Sequence, residues 1–373
     1  MDEVWQLINR KYIDSTFNGH DWAAIRQQYV NRSYNSLDEV YTAIQDMLAQ
    51  LEDPYTRFMD PQSFRSMQVD PEGKIGVIGL QITQDETTQE TVVVSSILER
   101  PALEAGIVAG DVLLSIDGIS TQEMTITEVA DHLRGTVGST ATLVIRRDQQ
   151  EQTFEIPREV ITVHPVRYQI EETPAGQIGY IQLTQFSAQA PAEMRQAIDA
   201  LEPQVNGYIL DLRSNHGGLL YGAIEVAQMW LSEGIIVSFM ERDGEINRQQ
   251  STQDNLSDKP LTVLIDEGTA SGGEILAAAL QDNQRAMLVG TQTRGYNSIQ
   301  SVRGLPDGSG IAVTVANWIT PSGENISSTG LVPDVTVALT TEQQQILVRN
   351  RTLIGTSADP QFAQAVELLE QEI

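Results

Sequence analysis

The feature that most constrains this chain is the turn at residues 266–275, which reads DEGTASGGEI. An apolar, β-branched run at residues 261–265 precedes it, and an Ala/Leu-rich run that ends at Asp282 follows it. This order predicts a buried strand, a sharp turn and a helix. Ser271 would then lie at the start of the helix, where backbone N–H groups stabilise negative charge. A serine nucleophile and its oxyanion need such a place, but serine is also a favoured residue for capping a helix.

A second turn has the same construction. The apolar run at residues 207–213 predicts another buried strand, and an amphipathic helix is expected to continue to about Leu231. Between them lie His216 and the paired glycines Gly217 and Gly218. Adjacent glycines allow the backbone to approach a ligand or to expose its N–H groups. The alternative interpretation is an ordinary glycine-rich connection between a strand and a helix.

With both turns considered, the chain resembles the carboxyl-terminal processing peptidases, which are PDZ-containing serine peptidases also called tail-specific proteases. The family's Asp-Leu-Arg-x-Asn-x-Gly-Gly turn is matched by residues 211–218, and its Thr/Ser-Ala-Ser-x-x-Glu-Ile turn by residues 269–275. Residues 43–47 and 53–58 are most similar to the cyanobacterial and chloroplast branch. The further matches, in the family's order, are residues 279–282, Gly290, Thr293, Gly295, and residues 300–302, 307–310, 320–321, 329–330 and 333–334.

The resemblance implies a role for each part of the site. Ser271 would attack the peptide bond, and the N–H groups of Gly217 and Gly272 would form the oxyanion hole. Gln300 would orient the general base. The resemblance also implies a crotonase-like α/β core, endopeptidase activity, and no metal ion or other cofactor.

One departure from the family pattern bears directly on catalysis. The family's base is a lysine in Thr-Phe-Gly-Lys-Gly, twenty-five residues after the serine, and this chain has Tyr296 at that position. The flanking residues Arg294 and Asn297 differ as well. A buried lysine acts as a base because burial lowers its pKa, whereas a tyrosine has a pKa of about 10 that burial raises further. Tyr296 is therefore expected to be a poor base unless a cation such as Arg294 lies beside it.

Other residues are candidates for the missing base. The lysines of the chain are Lys11, Lys74 and Lys259. Lys259 precedes the strand that leads to Ser271, and some five strand residues at roughly 3.3 Å each place it about 17 Å away. His216 has a side chain with a suitable pKa and lies beside the glycines that the family places next to the nucleophile. The alternative interpretation, a surface residue of the turn, is the more ordinary one.

Two functions therefore remain open at this point. One is a serine endopeptidase that trims the C-termini of proteins. The other is a non-catalytic relative, in which a PDZ-bearing protease scaffold serves binding or regulation. A third function, a crotonase-type acyl-thioester enzyme, is disfavoured by the PDZ resemblance and by the turn that carries Ser271.

The pattern of elements predicts an α/β multidomain protein. Pro61 is expected to mark the end of the regular helical pattern in the N-terminal region. Thr341 is expected to cap a C-terminal helical segment that returns to the N-terminal helices. The predicted regions are an N-terminal helical region at 1–70, a PDZ domain at 71–158, an α/β serine-peptidase-like core at 159–340 and a C-terminal helical segment at 341–373.

The PDZ resemblance depends on a whole series of elements at residues 71–158. Strands are expected near residues 76–82, 91–94 and 141–145, and helices near residues 101–106 and 125–133. The expected partners are the C-terminal peptides of protein substrates or ligands, whose carboxylate is held by backbone N–H groups in this mode of peptide capture. The loop that matches the carboxylate-binding loop consists of Gly76, Val77, Ile78, Gly79 and Leu80.

Composition excludes several other classes of partner. The chain of 373 residues has a formal net charge of −28, which argues against nucleic acid and against an anionic membrane surface. It has no cysteine, so disulfides and zinc–cysteine sites are excluded. No apolar run reaches about 18 residues, so no transmembrane segment is predicted. The resemblance implies export to the periplasm or thylakoid lumen, and the absence of a visible signal peptide suggests that a leader is missing from this chain.

Overall fold

The computed structural model describes residues 1–67, 74–85, 88, 90–96, 101–122, 124, 126–148, 150–162, 164–242, 244 and 246–373. The chain forms two compact units. The larger unit combines Met1–Pro61 with His164–Ile373, and the smaller unit is Gln62–Val163. The predicted N-terminal region, core and C-terminal segment therefore contribute to one larger unit.

The N-terminal part of the larger unit is helical, as predicted. Ser36 caps the third helix by accepting a hydrogen bond from the Glu39 N–H group. Pro61 begins a helix instead of marking the end of the helical pattern, because proline is tolerated in a first helical turn. The elements are α1 (Asp2–Lys11), α2 (Trp22–Val30), α3 (Leu37–Ala49) and β1 (Arg57–Met59); the helix that follows, α4 (Pro61–Met67), belongs to the smaller unit apart from Pro61.

The smaller unit is built from short antiparallel strands around its own apolar core. Ile78, Leu113, Ile116 and Leu143 are buried in that core. The elements are β2 (Lys74–Val77), β3 (Leu80–Gln84), β4 (Thr91–Ser96), α5 (Pro101–Glu104), β5 (Val112–Ile116), β6 (Ile119–Ser120), α6 (Ile126–Leu133), β7 (Thr140–Arg147), β8 (Gln150–Pro157) and β9 (Glu159–Thr162). The sheet has the order β3-β4-β5-β7-β8 with β6 paired to β5, and β2 pairs with β9. Thr125, where a helix was predicted to start, lies outside the described residues.

The rest of the larger unit alternates strands and helices, as the sequence predicts. Its elements are β10 (Val166–Thr173), β11 (Gly176–Leu183), α7 (Ala190–Leu201), β12 (Gly207–Asp211), α8 (Leu220–Gln228), β13 (Ile235–Glu241), β14 (Ile246–Gln250), β15 (Leu261–Ile265), α9 (Gly272–Asp282), β16 (Met287–Gly290), β17 (Ser298–Gly304), β18 (Gly310–Ile319), β19 (Val335–Thr336), α10 (Thr341–Arg349), a 3-10 turn (Arg351–Leu353) and α11 (Pro360–Leu369).

The main sheet of this unit has the order β10-β11-β12-β15-β16-β19 and is parallel from β11 onwards. Helices pack on both faces, which explains why β12 and β15 are buried along their whole length. In β15, Val263 faces the core that α7, α8 and α9 share, whereas Leu264 faces α11. The loops that carry the candidate site leave the carboxyl ends of these strands.

The C-terminal segment differs from the prediction in two respects. Phe362 and Leu369 of α11 pack against the main sheet, so this helix does not return to the N-terminal helices. The N-terminal helices instead share a core with Phe58 of β1 and with Ile311 of β18. Thr340, not Thr341, caps α10, because its side chain accepts a hydrogen bond from the N–H group three residues later.

A second sheet of the larger unit has the order β1-β18-β13-β14, with β17 paired to β18. The connection from β16 to β17 carries residues 291–297, which include the position of the missing lysine.

Within the part of the chain that the structure describes, no helix is both long enough and apolar enough to cross a bilayer.

Candidate active site

Two strand-to-helix turns lie next to each other at the carboxyl ends of β12 and β15. These strands are parallel neighbours, so the turns that follow them meet at one edge of the sheet, where open α/β sheets bind their ligands. The N–H group of Ala270 donates to the Asn215 carbonyl at 2.9 Å, and that of Ser214 donates to Asp266 Oδ1 at 2.7 Å. The two turns therefore form one hydrogen-bonded structure.

Ser271 is the N-cap residue of α9 and has an unusual backbone, with φ 52° and ψ −114°. A positive φ is costly for a residue with a Cβ, and such strained residues occur often at functional sites. A sharp strand-to-helix turn of this kind exposes a serine hydroxyl at the edge of a sheet. Ser271 also forms a capping box with Glu274, whose carboxylate accepts from the Ser271 N–H group at 2.8 Å, so both the catalytic and the capping interpretations fit this position and the catalytic role stays a prediction.

Gly217 lies directly against Ser271. A Cβ atom at position 217 would be 2.8 Å from the Ser271 Cβ and 2.9 Å from the Gly272 nitrogen. The position also has φ 95°, which favours glycine. The sequence prediction that the paired glycines adjoin the serine therefore agrees with the geometry.

The two predicted oxyanion donors differ in this conformation. The N–H group of Gly217 already donates to Asn215 Oδ1 at 2.9 Å, and the Asn215 amide is fixed in turn by the Leu183 carbonyl at 2.8 Å. The N–H group of Gly272 makes no hydrogen bond to the residues that the structure describes. Gly272 is thus available to an oxyanion, whereas Gly217 would first have to be released by Asn215. The role of both groups stays a prediction.

A buried carboxylate connects Ser271 to the loop of the missing lysine. Glu274 Oε2 accepts hydrogen bonds from the N–H groups of Ser271 at 2.8 Å and Tyr296 at 2.9 Å. Glu274 Oε1 accepts from Thr293 Oγ1 and from the Gly295 N–H group, both at 2.6 Å. Burial raises the pKa of the Glu274 carboxyl despite these hydrogen bonds, which act in the opposite direction. The sequence analysis gave Glu274 no role.

Tyr296 occupies the lysine position, but its ring is held by other side chains. The ring packs edge-on against Tyr55, with centroids 5.5 Å apart and an interplanar angle of 86°. The Arg294 guanidinium carbon lies 5.5 Å from the ring centroid, in a cation–π arrangement. The Trp318 indole donates to the Tyr296 carbonyl at 3.0 Å. The sequence left the position of Arg294 open, and in the structure its cation lies over the ring of Tyr296.

Tyr55 is a part of this site that the sequence analysis missed. Asp53 Oδ1 accepts a hydrogen bond from its N–H group at 2.9 Å. Asp53 Oδ2 also accepts from the hydroxyls of Thr56 and Thr314, each at 2.7 Å, and thereby joins the segment to β18. Burial, and then the neighbouring Tyr296, raise the pKa of the Tyr55 phenol. Residues 53–58, which carry part of the resemblance to the family, thus place an aromatic side chain against Tyr296 at the lysine position.

Lys259 is paired with another residue in this conformation. The Lys259 ammonium donates to the Glu202 carbonyl and lies 3.5 Å from the Glu202 carboxylate. Lys11 is the last residue of α1, and Lys74 belongs to β2 of the smaller unit. Among the described residues, the Lys259 ammonium therefore pairs with Glu202, as expected for a residue at the far end of β15.

His216 and Gln300 are less closely tied to Ser271. His216 is exposed and precedes Gly217, which contacts the serine, but its ring makes no hydrogen bond to the described residues. Gln300 lies in β17, half-buried, opposite Thr314 of β18. The roles of both residues in the site therefore stay predictions.

Among the described residues, no group of three or more acidic or histidine side chains is arranged to hold a metal ion.

The first turn also contains a buried ion-pair network. Arg213 Nη2 lies 2.6 Å from Asp211 Oδ2 and 2.7 Å from Asp359 Oδ2, and both aspartates are fully buried. Tyr180 donates to Asp211 at 2.6 Å, and Arg213 also donates to Gln361. Burial disfavours the charge of Arg213, but the two carboxylates hold its pKa well above the usual value. The Asp-Leu-Arg part of the motif thus joins β12 to the start of α11.

In the smaller unit, the predicted carboxylate-binding loop is shorter than expected. Gly76 and Val77 belong to β2, Leu80 begins β3, and only Ile78 and Gly79 lie between the strands. The Ile78 carbonyl accepts from Ala102, but the N–H groups of Ile78 and Gly79 have no acceptor among the described residues. Both residues are buried, and their role in binding a carboxylate stays a prediction.

A strand-to-helix turn that presents a serine, on a chain that also carries a PDZ-like unit, is the construction of one class of serine peptidase. Family models agree with this class. Residues 177–337 match peptidase family S41, residues 92–147 match a PDZ domain, and residues 1–49 match the tricorn protease C1 domain.

Individual relatives define the family more closely. The chain is 42% identical to a carboxyl-terminal-processing protease of Synechocystis sp. over 98% of this chain and 85% of the relative. It is 40% identical to carboxyl-terminal-processing peptidase 2, chloroplastic, of Arabidopsis thaliana over 89% of this chain and 67% of the relative. A solved photosystem II D1 C-terminal processing protease matches with a TM-score of 0.66 and 32% identity, covering 96% of this chain and 97% of that one. The chain belongs to the carboxyl-terminal-processing peptidase family.

Proposed function

We propose that this chain recognises the C-termini of proteins through its PDZ unit and has impaired or no proteolytic activity. The observation that carries the second part is the environment of Tyr296, whose ring packs on Tyr55 and under Arg294. A phenol is protonated near neutral pH, and nothing in this arrangement supplies the neutral amine of the family's base. The alternative is a wholly non-catalytic peptide-binding or regulatory protein on the same scaffold.

Peptide recognition does not depend on the missing lysine. The N–H groups of Ile78 and Gly79 suit a terminal carboxylate, as in other backbone modes of peptide capture. Isothermal titration should show binding of peptides with a free, apolar C-terminus and a loss of binding when that terminus is amidated. Equal binding of the two forms would contradict the proposal.

Proteolysis is expected to be weaker than in an active relative by a factor of about 10² to 10⁴, the usual cost of losing a general base. A cleavage assay with purified protein, using peptides with free and with amidated C-termini, measures this directly. Ser271→Ala is the negative control. Turnover equal to that of an active relative and abolished by Ser271→Ala would overturn the proposal.

A variant shows how much of the deficit is due to position 296. Tyr296→Lys restores the amine, while Glu274 still holds the backbone of residues 293–296. A gain in kcat/KM would assign the deficit to this side chain. No gain would assign the remainder to Arg294 and Asn297, which also differ from the family pattern. We also propose that this chain is exported to the periplasm or thylakoid lumen, because its relatives include a cyanobacterial protease and a chloroplastic peptidase.

A further inference from the structure

The chain leaves the first turn through residues that are unusually exposed for their type. Leu219 is 53% exposed and Tyr221 is 78% exposed. Both lie at the start of α8, whereas Ala223 and Val226 further along the helix are fully buried. An exposed leucine and tyrosine so close together leave apolar surface uncovered beside the candidate nucleophile.

The backbone of Gly218 has an open side. Gly218 and Phe186 form a parallel bridge, in which the Phe186 N–H donates to the Gly217 carbonyl at 2.9 Å and the Leu219 N–H donates to the Phe186 carbonyl at 2.7 Å. The N–H and carbonyl of the bridged residue itself point away from its partner in this pairing. Those two groups of Gly218 have no hydrogen-bond partner within the described part of the chain, and the residue is exposed.

This open backbone lies beside Ser271. Gly217, the preceding residue, is so close to the serine that a Cβ there would be 2.8 Å from the Ser271 Cβ. A Cβ at position 218 would be 2.3 Å from the Phe186 carbonyl oxygen, so the bridge requires glycine at this position. An unpaired donor and acceptor and two exposed apolar side chains therefore lie within residues 218–221, directly after the glycine that adjoins Ser271.

We propose that Gly218, Leu219 and Tyr221 form a subsite that binds an extended peptide segment with an apolar side chain. The inference rests on the proposed function, because it assumes a peptide ligand at Ser271. The occupant is a peptide because the open groups are one main-chain donor and one main-chain acceptor, which an extended chain complements. Leu219 and Tyr221 then select for an apolar side chain, since burying them against such a residue is favourable.

Photo-crosslinking tests the location of the subsite. The probe is a short, N-acetylated and C-amidated alanine peptide with a single p-benzoylphenylalanine; amidation removes the carboxylate that the PDZ unit needs. Mass spectrometry should find crosslinks within residues 216–221 of the intact chain. Crosslinks that fall elsewhere, or no binding of the probe to the parent protein, would overturn the proposal.

Substitution tests the role of the side chains. The double variant Leu219→Ser/Tyr221→Ser should bind the fluorescent form of the probe about tenfold more weakly, as expected for a loss of roughly 1.4 kcal/mol of binding free energy. The matched control is Leu37→Ser/Tyr168→Ser, which removes a leucine and a tyrosine that are 65% and 43% exposed elsewhere. Both double variants should keep the thermal midpoint of the parent, because all four residues are exposed. Equal affinity of the two double variants contradicts the proposal.

Chemistry on the ligand tests the backbone pairing. Replacing the amide at the benzoylphenylalanine position by an ester removes one N–H donor and should weaken binding about three- to tenfold. Unchanged affinity would exclude pairing with Gly218. Titration of the parent and the same variants with free-acid peptides separates the subsite from the proposed function. If the parent binds free-acid peptides but gives no crosslink at residues 216–221, only the subsite is rejected. If the parent does not bind free-acid peptides, the proposed function is rejected.

Discussion

The two adjoining turns at the carboxyl ends of β12 and β15 each connect a buried strand to a helix, but they bury charges of opposite sign. Each contains a serine with a left-handed backbone, Ser214 at φ 57° and Ser271 at φ 52°. The first turn buries Arg213 between two aspartates. The second buries Glu274 without a cation and satisfies it with N–H and O–H donors alone.

The two buried networks hold different parts of the molecule in place. The partners of Arg213 lie in β12 and at the start of α11, so this network holds the C-terminal segment on the sheet. The partners of Glu274 are the backbone of Ser271 and the loop that carries Tyr296, so this carboxylate sets the candidate nucleophile relative to the lysine position. The first network is expected to contribute most to the stability of the fold, and the second to the fixed arrangement of Ser271 and the loop that carries Tyr296.

The largest effect is expected for Arg213→Met. The substitution leaves Asp211 and Asp359 buried beside each other without a cation, and breaking a buried pair in this way typically costs about 3–5 kcal/mol. Urea denaturation should show a correspondingly lower free energy of unfolding. Arg26→Met, which removes an exposed ion pair with Asp2 in the same unit, is the control and should leave the midpoint unchanged. Similar midpoints for the two variants would show that the Arg213 network is not an anchor.

A smaller loss of stability is expected for Glu274→Ala. Four donors lose their acceptor, and the cost is about 2–3 kcal/mol if water replaces part of the lost hydrogen bonding. The loop at residues 293–296 should lose protection against amide hydrogen exchange, while residues 359–369 keep theirs. Equal loss of protection in both segments would mean that the two turns are not separate in function.

The pH dependence of the two networks should also differ. The folded pKa of Glu274 is raised, so the folded state binds this proton more tightly than the unfolded state does. Its contribution to stability is full below the ordinary glutamate pKa and is lost as pH rises through the raised pKa. The stability difference between the parent and Glu274→Gln should therefore shift against the parent over that range, by about 1.4 kcal/mol per unit of pKa change. The difference for Arg213→Met should change in the opposite direction and shrink as pH falls, because the two buried aspartates that the variant leaves without a cation can then take up protons. Equal slopes for the two variants would contradict this distinction.

The contrast also shows how far the sequence alone can be taken. Local patterns predicted β15 and α7 with their observed bounds and placed Ser271 at the start of α9, whereas the family resemblance identified the tyrosine at the lysine position. The partners of these residues could not be predicted in the same way. Asp359 meets Arg213 across 146 residues, and Tyr55 meets Tyr296 from a segment of the N-terminal region. Periodicity and spacing describe neighbours along the chain, whereas these contacts depend on how the sheets bring distant segments together. The same limit explains the misplaced C-terminal segment, because its apolar face fits a sheet as well as a helix pair.

The smallest effect on stability is expected at His216, which adjoins the first turn without belonging to its network. His216→Ala should change the free energy of unfolding by less than about 0.5 kcal/mol, as for most exposed substitutions. If the parent retains weak cleavage with His216 as the base, the substitution should abolish cleavage while leaving free-acid peptide binding intact. A variant that cleaves as well as the parent would remove His216 from the site and leave Tyr296 under Arg294 as the remaining candidate.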